Sequence, residues 1–222
     1  MNIKGFIFDL DGTLLDSMHC WENVDQSFLL ENGVTPPEGV SDIVKKMTIY
    51  DSAMYFKTQF SLKQSCQEII DRIEEMVREQ YFYTIPLKDG AYETVHHLKK
   101  CGYRMCVATA TYNSLAHAAL KRLGIYECFE FILTCSDVGQ GKDKPDIFLK
   151  AAEKMECDTG NTVVVEDSLH CIETAADAGF RTIAVYDKVA ENEWNEICER
   201  SWKNVKNMAE IKDILIKENE NG

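Results

Sequence analysis

The stretch Gly5-Phe6-Ile7-Phe8-Asp9-Leu10-Asp11-Gly12-Thr13 decides how the rest of the chain is read. It passes from an uninterrupted apolar run to two carboxylates and a turn in a few residues. A run this short and apolar is a strand buried on both faces, which is the mark of a parallel sheet. An Asp-Gly pair alone reads as a turn. At the end of a buried strand it becomes a place where Asp9 can attack phosphorus, while Asp11, two residues on, can protonate a leaving group and later activate water.

Outward from that run, further strands are expected at Tyr103 to Ala108, Phe129 to Leu133, Thr162 to Val165 and Thr182 to Tyr186. Between them lie amphipathic patterns at Ala91 to Lys100, Leu115 to Leu123, Ile147 to Met155 and Leu169 to Ala178, each followed by a glycine or polar turn. This alternation predicts an α/β fold, a Rossmann-like parallel sheet sandwiched by helices. Residues 17–85 have a different texture. Trp21, Val24, Phe28, Leu29, Met54, Phe56, Phe60, Ile69, Ile70, Ile73, Met76 and Val77 follow helical spacing, and the segment closes at Ile85-Pro86-Leu87, where proline discourages helix. The expected organisation is a core of 1–16 and 86–222 with an inserted helical cap of 17–85. From Lys203 a short helix is expected on the spacing of Met208, Ile211, Ile214 and Leu215, then a polar tail from Lys217.

Three more motifs sit where strands end, which is where open parallel sheets bind ligands. Val107-Ala108-Thr109-Ala110-Thr111 ends a strand on hydroxyls and small residues that let backbone N–H groups approach an anion. Gly139-Gln140-Gly141-Lys142-Asp143-Lys144-Pro145-Asp146 offers a cation ahead of a helix, without completing either glycine-rich nucleotide motif. Val163-Val164-Val165-Glu166-Asp167-Ser168 ends a strand in adjacent carboxylates; a helix cap would account for Asp167 or Ser168 and leave Glu166 over. Carboxylates from two strand ends suit a hard cation such as Mg²⁺.

In this order the four motifs resemble the haloacid dehalogenase-like hydrolase superfamily, in particular its members with a helical cap after the first motif. The resemblance spans nearly the whole chain. It implies Asp9 as nucleophile and metal ligand, Asp11 as acid/base residue and backbone metal ligand, Thr109 and the Ala110 N–H as phosphate holders, and Glu166 with Asp167 as the rest of the metal site. Aligning the Pro145-Asp146-Ile147-Phe148 tail with the family's usual lysine pattern favours Lys142 as the catalytic lysine and phosphate contact, with Lys144 beside it as the alternative. Asp143 stands where that pattern usually has proline, and Cys171 where Glu-Asp-Ser is commonly followed by glycine.

The implied activity is a Mg²⁺-dependent phosphatase acting on a small-molecule phosphate monoester through an aspartyl phosphate. Two alternatives stay open: a phosphosugar mutase, and a non-catalytic phosphate-binding regulatory module. Mutases of this kind usually have a histidine where Trp21 stands and an arginine-bearing cap loop that is not found near Met47-Thr48-Ile49-Tyr50. His19 is open as a substrate contact, Trp21 is expected to be core, and His170 a helix-surface residue.

Composition bounds the partners. The 222 residues carry 24 Lys+Arg against 37 Asp+Glu, a formal net charge of -13, which argues against nucleic acid or an anionic membrane. The 9 cysteines are scattered and read as reduced thiols. The apolar run ending at Phe8 is too short for a signal peptide, so cytoplasmic residence is expected; the chain is read separately as a monomer or homodimer.

Overall fold

A computed structural model describes residues 3–44, 47 and 49–220, leaving aside the side chains at 21, 22, 42, 49 and 218–220. It divides into two compact units, Met1–Asp16 with Pro86–Gly222, and Ser17–Ile85.

The first unit is built on six parallel strands: β1 (Gly5–Phe8), β2 (Arg104–Thr109), β3 (Ile132–Thr134), β4 (Thr162–Glu166), β5 (Arg181–Val185) and β6 (Lys203–Val205), in the order β3-β2-β1-β4-β5-β6. This is the Rossmann-type α/β sheet flanked by helices. The chain runs outward from β1 through β2 to β3, then returns to the other side of β1 and runs outward again from β4. The switch between β1 and β4 opens a crevice at the carboxyl ends of those two strands.

Alternation along the strands then decides which side chains meet there. Phe6 and Phe8 share one face of the sheet, where their rings meet Tyr103 and Phe129 at centroid distances of 5.2 and 5.9 Å. Ile7 points the other way, into a cluster with Cys106, Ala108, Ile147, Phe148, Val164 and Cys171. With a period of two, Asp9 follows Ile7 and Glu166 follows Val164 onto that same face. Phe8 pairs with Val165, and the Asp9 N–H continues the ladder to the Val165 carbonyl at 2.9 Å, so Asp9 and Glu166 emerge side by side.

The second unit holds the helices α1 (Met18–Glu31), α2 (Val40–Val44), α3 (Ile49–Gln59) and α4 (Cys66–Tyr83), packed around Phe28, Leu29, Ala53, Phe56, Ile69, Ile70 and Ile73. A capping box starts α4: the Ser65 hydroxyl accepts from the Glu68 N–H at 3.2 Å, and the Glu68 carboxylate accepts from the Ser65 N–H at 2.7 Å. Met54, read from its spacing as part of the apolar face, is instead 40% exposed. The Trp21 side chain and Thr48 lie outside the described residues.

The sheet unit also contains α5 (Ala91–Lys100), α6 (Asn113–Arg122), α7 (Cys135–Val138), α8 (Asp146–Lys154), α9 (Leu169–Asp177), α10 (Trp194–Arg200) and α11 (Glu210–Glu220). The expected helix from Lys203 is corrected in two ways. Residues Lys203–Val205 form the edge strand β6, whose polar alternation carries no apolar run to mark it. The helix itself starts at Glu210 and continues through Lys217, where a tail was expected. Among the described residues no cysteine forms a disulfide, and no helix is long and apolar enough to cross a membrane.

Candidate active site

Asp9 is 7% exposed, Glu166 1% and Asp167 6%, and each offers a carboxylate oxygen within 4.8 Å of the others. Lys142 is the cation that meets them. Its Nζ donates to Asp9 Oδ1 and to Glu166 Oε1, the latter at 2.8 Å. The lysine reaches this point because the loop from Gly139 to Pro145 turns back over the strand ends before α8, and its ammonium lies 5.9 Å from the Phe148 ring centroid. Lys144, two residues on, is exposed.

Glu166 is anchored on its other oxygen. Oε2 accepts the N–H groups of Asp167 at 2.9 Å and Ser168 at 3.1 Å. Those N–H groups lie just ahead of α9, and Ser168 at its N-cap position makes no side-chain cap. Asp167 instead accepts the Thr13 hydroxyl at 3.1 Å.

Gly12 has a reason beyond the turn. It sits at φ +82°, and a Cβ there would lie 2.4 Å from Asp167 Oδ2, so only glycine lets the first loop pass this close to the second acid motif. Asp11 occupies the same loop, with its carboxylate accepting the Thr111 hydroxyl at 2.6 Å. Thr109, the last residue of β2, is 1% exposed and its Oγ1 accepts the Thr111 N–H at 3.0 Å. Ala110, between them, is exposed. The sequence motifs thus converge at the carboxyl ends of the strands, because β1, β2 and β4 are adjacent and parallel.

Electrostatics describes what such a site needs. Burial is the main force raising the Asp9 carboxyl to about 8, with Glu166 and Asp11 adding repulsion and Lys142 opposing. Asp167 is held well above the usual carboxylate range, first by burial and then by Glu166, Asp9 and Asp187. Burial acts on Glu166 in the same direction but is outweighed by Lys142 and by its hydrogen bonds, leaving it below its ordinary value. Lys142 is stabilised as an ammonium against burial by Asp9 and Glu166. One lysine does not balance this acid cluster, and the donors are hard oxygens in close array. That is a chemical fit for a divalent cation such as Mg²⁺.

Several participants were not marked by the sequence. Thr13 and Thr111 are ordinary hydroxyls within quoted motifs, and only the fold brings them to Asp167 and Asp11. Asp187, 3% exposed beyond β5, stands close enough to raise Asp167; Lys88 Nζ meets its carboxylate at 2.5 Å and the Tyr186 carbonyl at 3.2 Å. Cys171, noted only as a departure from glycine, is 2% exposed, and its Sγ lies 3.2 Å from His170 Nε2. In the helical unit, exposed His19 lines a groove of about 160 Å³ together with Asn23, Met76 and Gln80.

Comparison with known proteins agrees with this geometry. The family described as haloacid dehalogenase-like hydrolase matches residues 6–185, and the chain belongs to it. Hexitol phosphatase A of Escherichia coli K12 is 30% identical over 199 residues, covering 89% of each chain. Pyrophosphatase PpaX of Bacillus velezensis is 25% identical, covering 82% of this chain and 83% of its own. Among solved structures, a provisional beta-phosphoglucomutase from Thermotoga maritima superposes with a TM-score of 0.85 at 21% identity, covering 97% of this chain and 99% of the other, a likeness of fold. The chain is a hydrolase of the phosphatase kind within this family.

Proposed function

We propose that the chain is a Mg²⁺-dependent phosphatase that hydrolyses a small-molecule phosphate monoester through an aspartyl phosphate on Asp9. The observation that carries this reading is the buried array of Asp9, Glu166 and Asp167 with Lys142 bridging the first two. It combines a nucleophile, a cation and a hard-oxygen donor set in one crevice.

Asp9 attacks phosphorus in line; the bond from phosphorus to the ester oxygen breaks as the new Asp9–phosphorus bond forms. Asp11 gives its proton to the departing alkoxide. Asp11 then takes a proton from water, whose oxygen attacks the acyl phosphate at phosphorus, and the Asp9 carboxylate and inorganic phosphate separate. Lys142, the Thr109 hydroxyl and the Ala110 N–H hold the phosphoryl oxygens through charge and hydrogen bonds. Asp9, Glu166, Asp167 and the Asp11 carbonyl would hold Mg²⁺, which when bound supplies positive charge that offsets the acids and polarises the phosphoryl group.

The favoured substrate is a soluble small molecule, since the net charge of -13 disfavours polyanions. The phosphatase-named relatives, hexitol phosphatase A among them, support the same class. The test is phosphate release from a generic aryl phosphate with Mg²⁺ and with chelator. Turnover that requires the metal supports the reading; folded, Mg²⁺-binding protein with no turnover moves weight to a phosphosugar mutase or to a phosphate-binding module.

A further inference from the structure

We propose that Thr111 is a positioning residue for the acid/base step, its hydroxyl holding Oδ2 of Asp11 so that proton exchange with the leaving group and with water runs through Oδ1. The hydroxyl donates to Oδ2 at 2.6 Å, the short length of an O–H bond to a carboxylate. The two residues are 100 positions apart in sequence. They meet because β1 and β2 pair in parallel, with Phe8 opposite Val107, so the loops that follow leave the sheet side by side. Thr111 is 9% exposed, and its hydroxyl is directed across to the first loop although α6 begins two residues on; Tyr112, the N-cap residue of that helix, makes no side-chain cap.

The backbone around Asp11 is fixed by its own turn. The Gly12 N–H donates to the Leu15 carbonyl at 2.9 Å, and the Leu15 N–H donates to the Leu10 carbonyl at 2.8 Å. An aspartate on a fixed backbone still rotates about its side-chain bonds, and the Thr111 hydroxyl acts on that freedom. Oδ2 accepts in either protonation state, since a protonated carboxyl keeps acceptor capacity. One orientation therefore serves both when Asp11 gives a proton to the departing alkoxide and when it takes one from water. The Thr111 N–H makes a second link. It donates to Thr109 Oγ1 at 3.0 Å, and a hydroxyl that accepts there keeps its own hydrogen for a phosphoryl oxygen. Through its O–H and its N–H, Thr111 sets the acid and the phosphate holder in one geometry.

The effect on turnover rests on the phosphatase reading; the contact itself does not. Protonation by an acid matters most for a poor leaving group, so the measurement compares kcat/KM for an alkyl phosphate with kcat/KM for a nitrophenyl phosphate. Thr111→Val keeps the branched shape and removes the donor. The alkyl-to-aryl ratio of kcat/KM should fall about tenfold, the weight of one hydrogen bond to a charged group. Thr111→Ser should restore most of that ratio. In chelator, where turnover plays no part, Thr111→Val should lower the melting temperature by about 2–4 °C with Asp11 present and by less than about 1 °C in an Asp11→Ala background.

An unchanged ratio in Thr111→Val overturns the proposal, and so does a Thr111→Ser variant whose ratio is as low as that of Thr111→Val. Equal melting shifts with and without Asp11 overturn the contact. If Thr111→Val does not fold, Thr111→Ala takes its place in both comparisons. A wild type that turns over neither ester defeats the phosphatase reading alone and leaves the melting shifts to judge the contact.

Discussion

The two units handle charge in opposite ways. Among the described residues, every buried charged side chain belongs to the sheet unit: Asp9, Lys142, Glu166, Asp167 and Asp187. The helical unit packs around apolar groups and keeps its ion pairs at the surface, as in the Arg72 pairs with Glu31 at 2.9 Å and Glu79 at 3.5 Å. Exposed pairs of that kind contribute little to stability. Buried carboxylates held near one another are unfavourable unless something compensates them. The sheet unit therefore retains an arrangement that folding alone would not select, and the helical unit shows what the same chain does where no chemistry is required.

Substitutions can break this contrast if it is wrong. The largest effect is expected at Asp9: Asn should reduce phosphate release by about a thousandfold or more, as removal of a nucleophile does, while leaving the unfolding transition in place. Initial rates and thermal melts of the same preparation check both halves. At Lys142, Ala leaves two buried carboxylates without their cation and should destabilise by about 3–5 kcal/mol in urea titrations. Added Mg²⁺ should recover part of that loss. Lys144→Ala, at an exposed position, should change stability by no more than about 0.5 kcal/mol.

In the helical unit, Phe56→Ala removes a ring of 0% exposure and should also destabilise by about 3–5 kcal/mol, through a cavity. The size matches Lys142→Ala, so the distinguishing readout is the metal: Mg²⁺ should not relieve the Phe56→Ala loss. Equal relief of both variants would erase the contrast between the units.

The smallest effect concerns Asp25 of α1, whose carboxyl burial raises from 3.8 to about 6. A raised carboxyl binds its proton more tightly folded than unfolded. Its contribution to stability is complete below pH 3.8 and is lost as pH rises through about 6. Asp25→Asn should therefore raise the melting temperature at pH 7 by about 1–3 °C and leave it nearly unchanged below pH 4. An equal shift at both pH values would refute the assignment.

The parts of the fold visible in the sequence are those with one dominant signal. Phe6-Ile7-Phe8 and Val163-Val164-Val165 are buried on both faces and so read as unbroken apolar runs. Lys203–Val205, at the sheet edge, has no such run because its first two residues are not buried, and it was mistaken for the start of a helix. Met54 kept helical spacing yet reached solvent, since periodicity specifies a direction around a helix and not whether something packs there.

The site divides similarly. Charged residues next to strand ends announce themselves, because burying an acid demands a reason. Between Lys142 and Lys144 the sequence offers two lysines on one loop, and the structure buries one against Asp9 while the other faces solvent. Thr13 and Thr111 were not legible as partners, since their contacts with Asp167 and Asp11 span 154 and 100 positions of sequence. Gly12 was visible as a turn residue, but its clearance of Asp167 exists only in three dimensions.

The most direct test of the account is the mass of the Asp9-containing peptide from enzyme quenched in acid during turnover of an aryl phosphate with Mg²⁺. A phosphoryl adduct on Asp9, absent without Mg²⁺ and absent from Asp9→Asn, is the predicted result; an adduct on a different residue, or full turnover by Asp9→Asn, would contradict it.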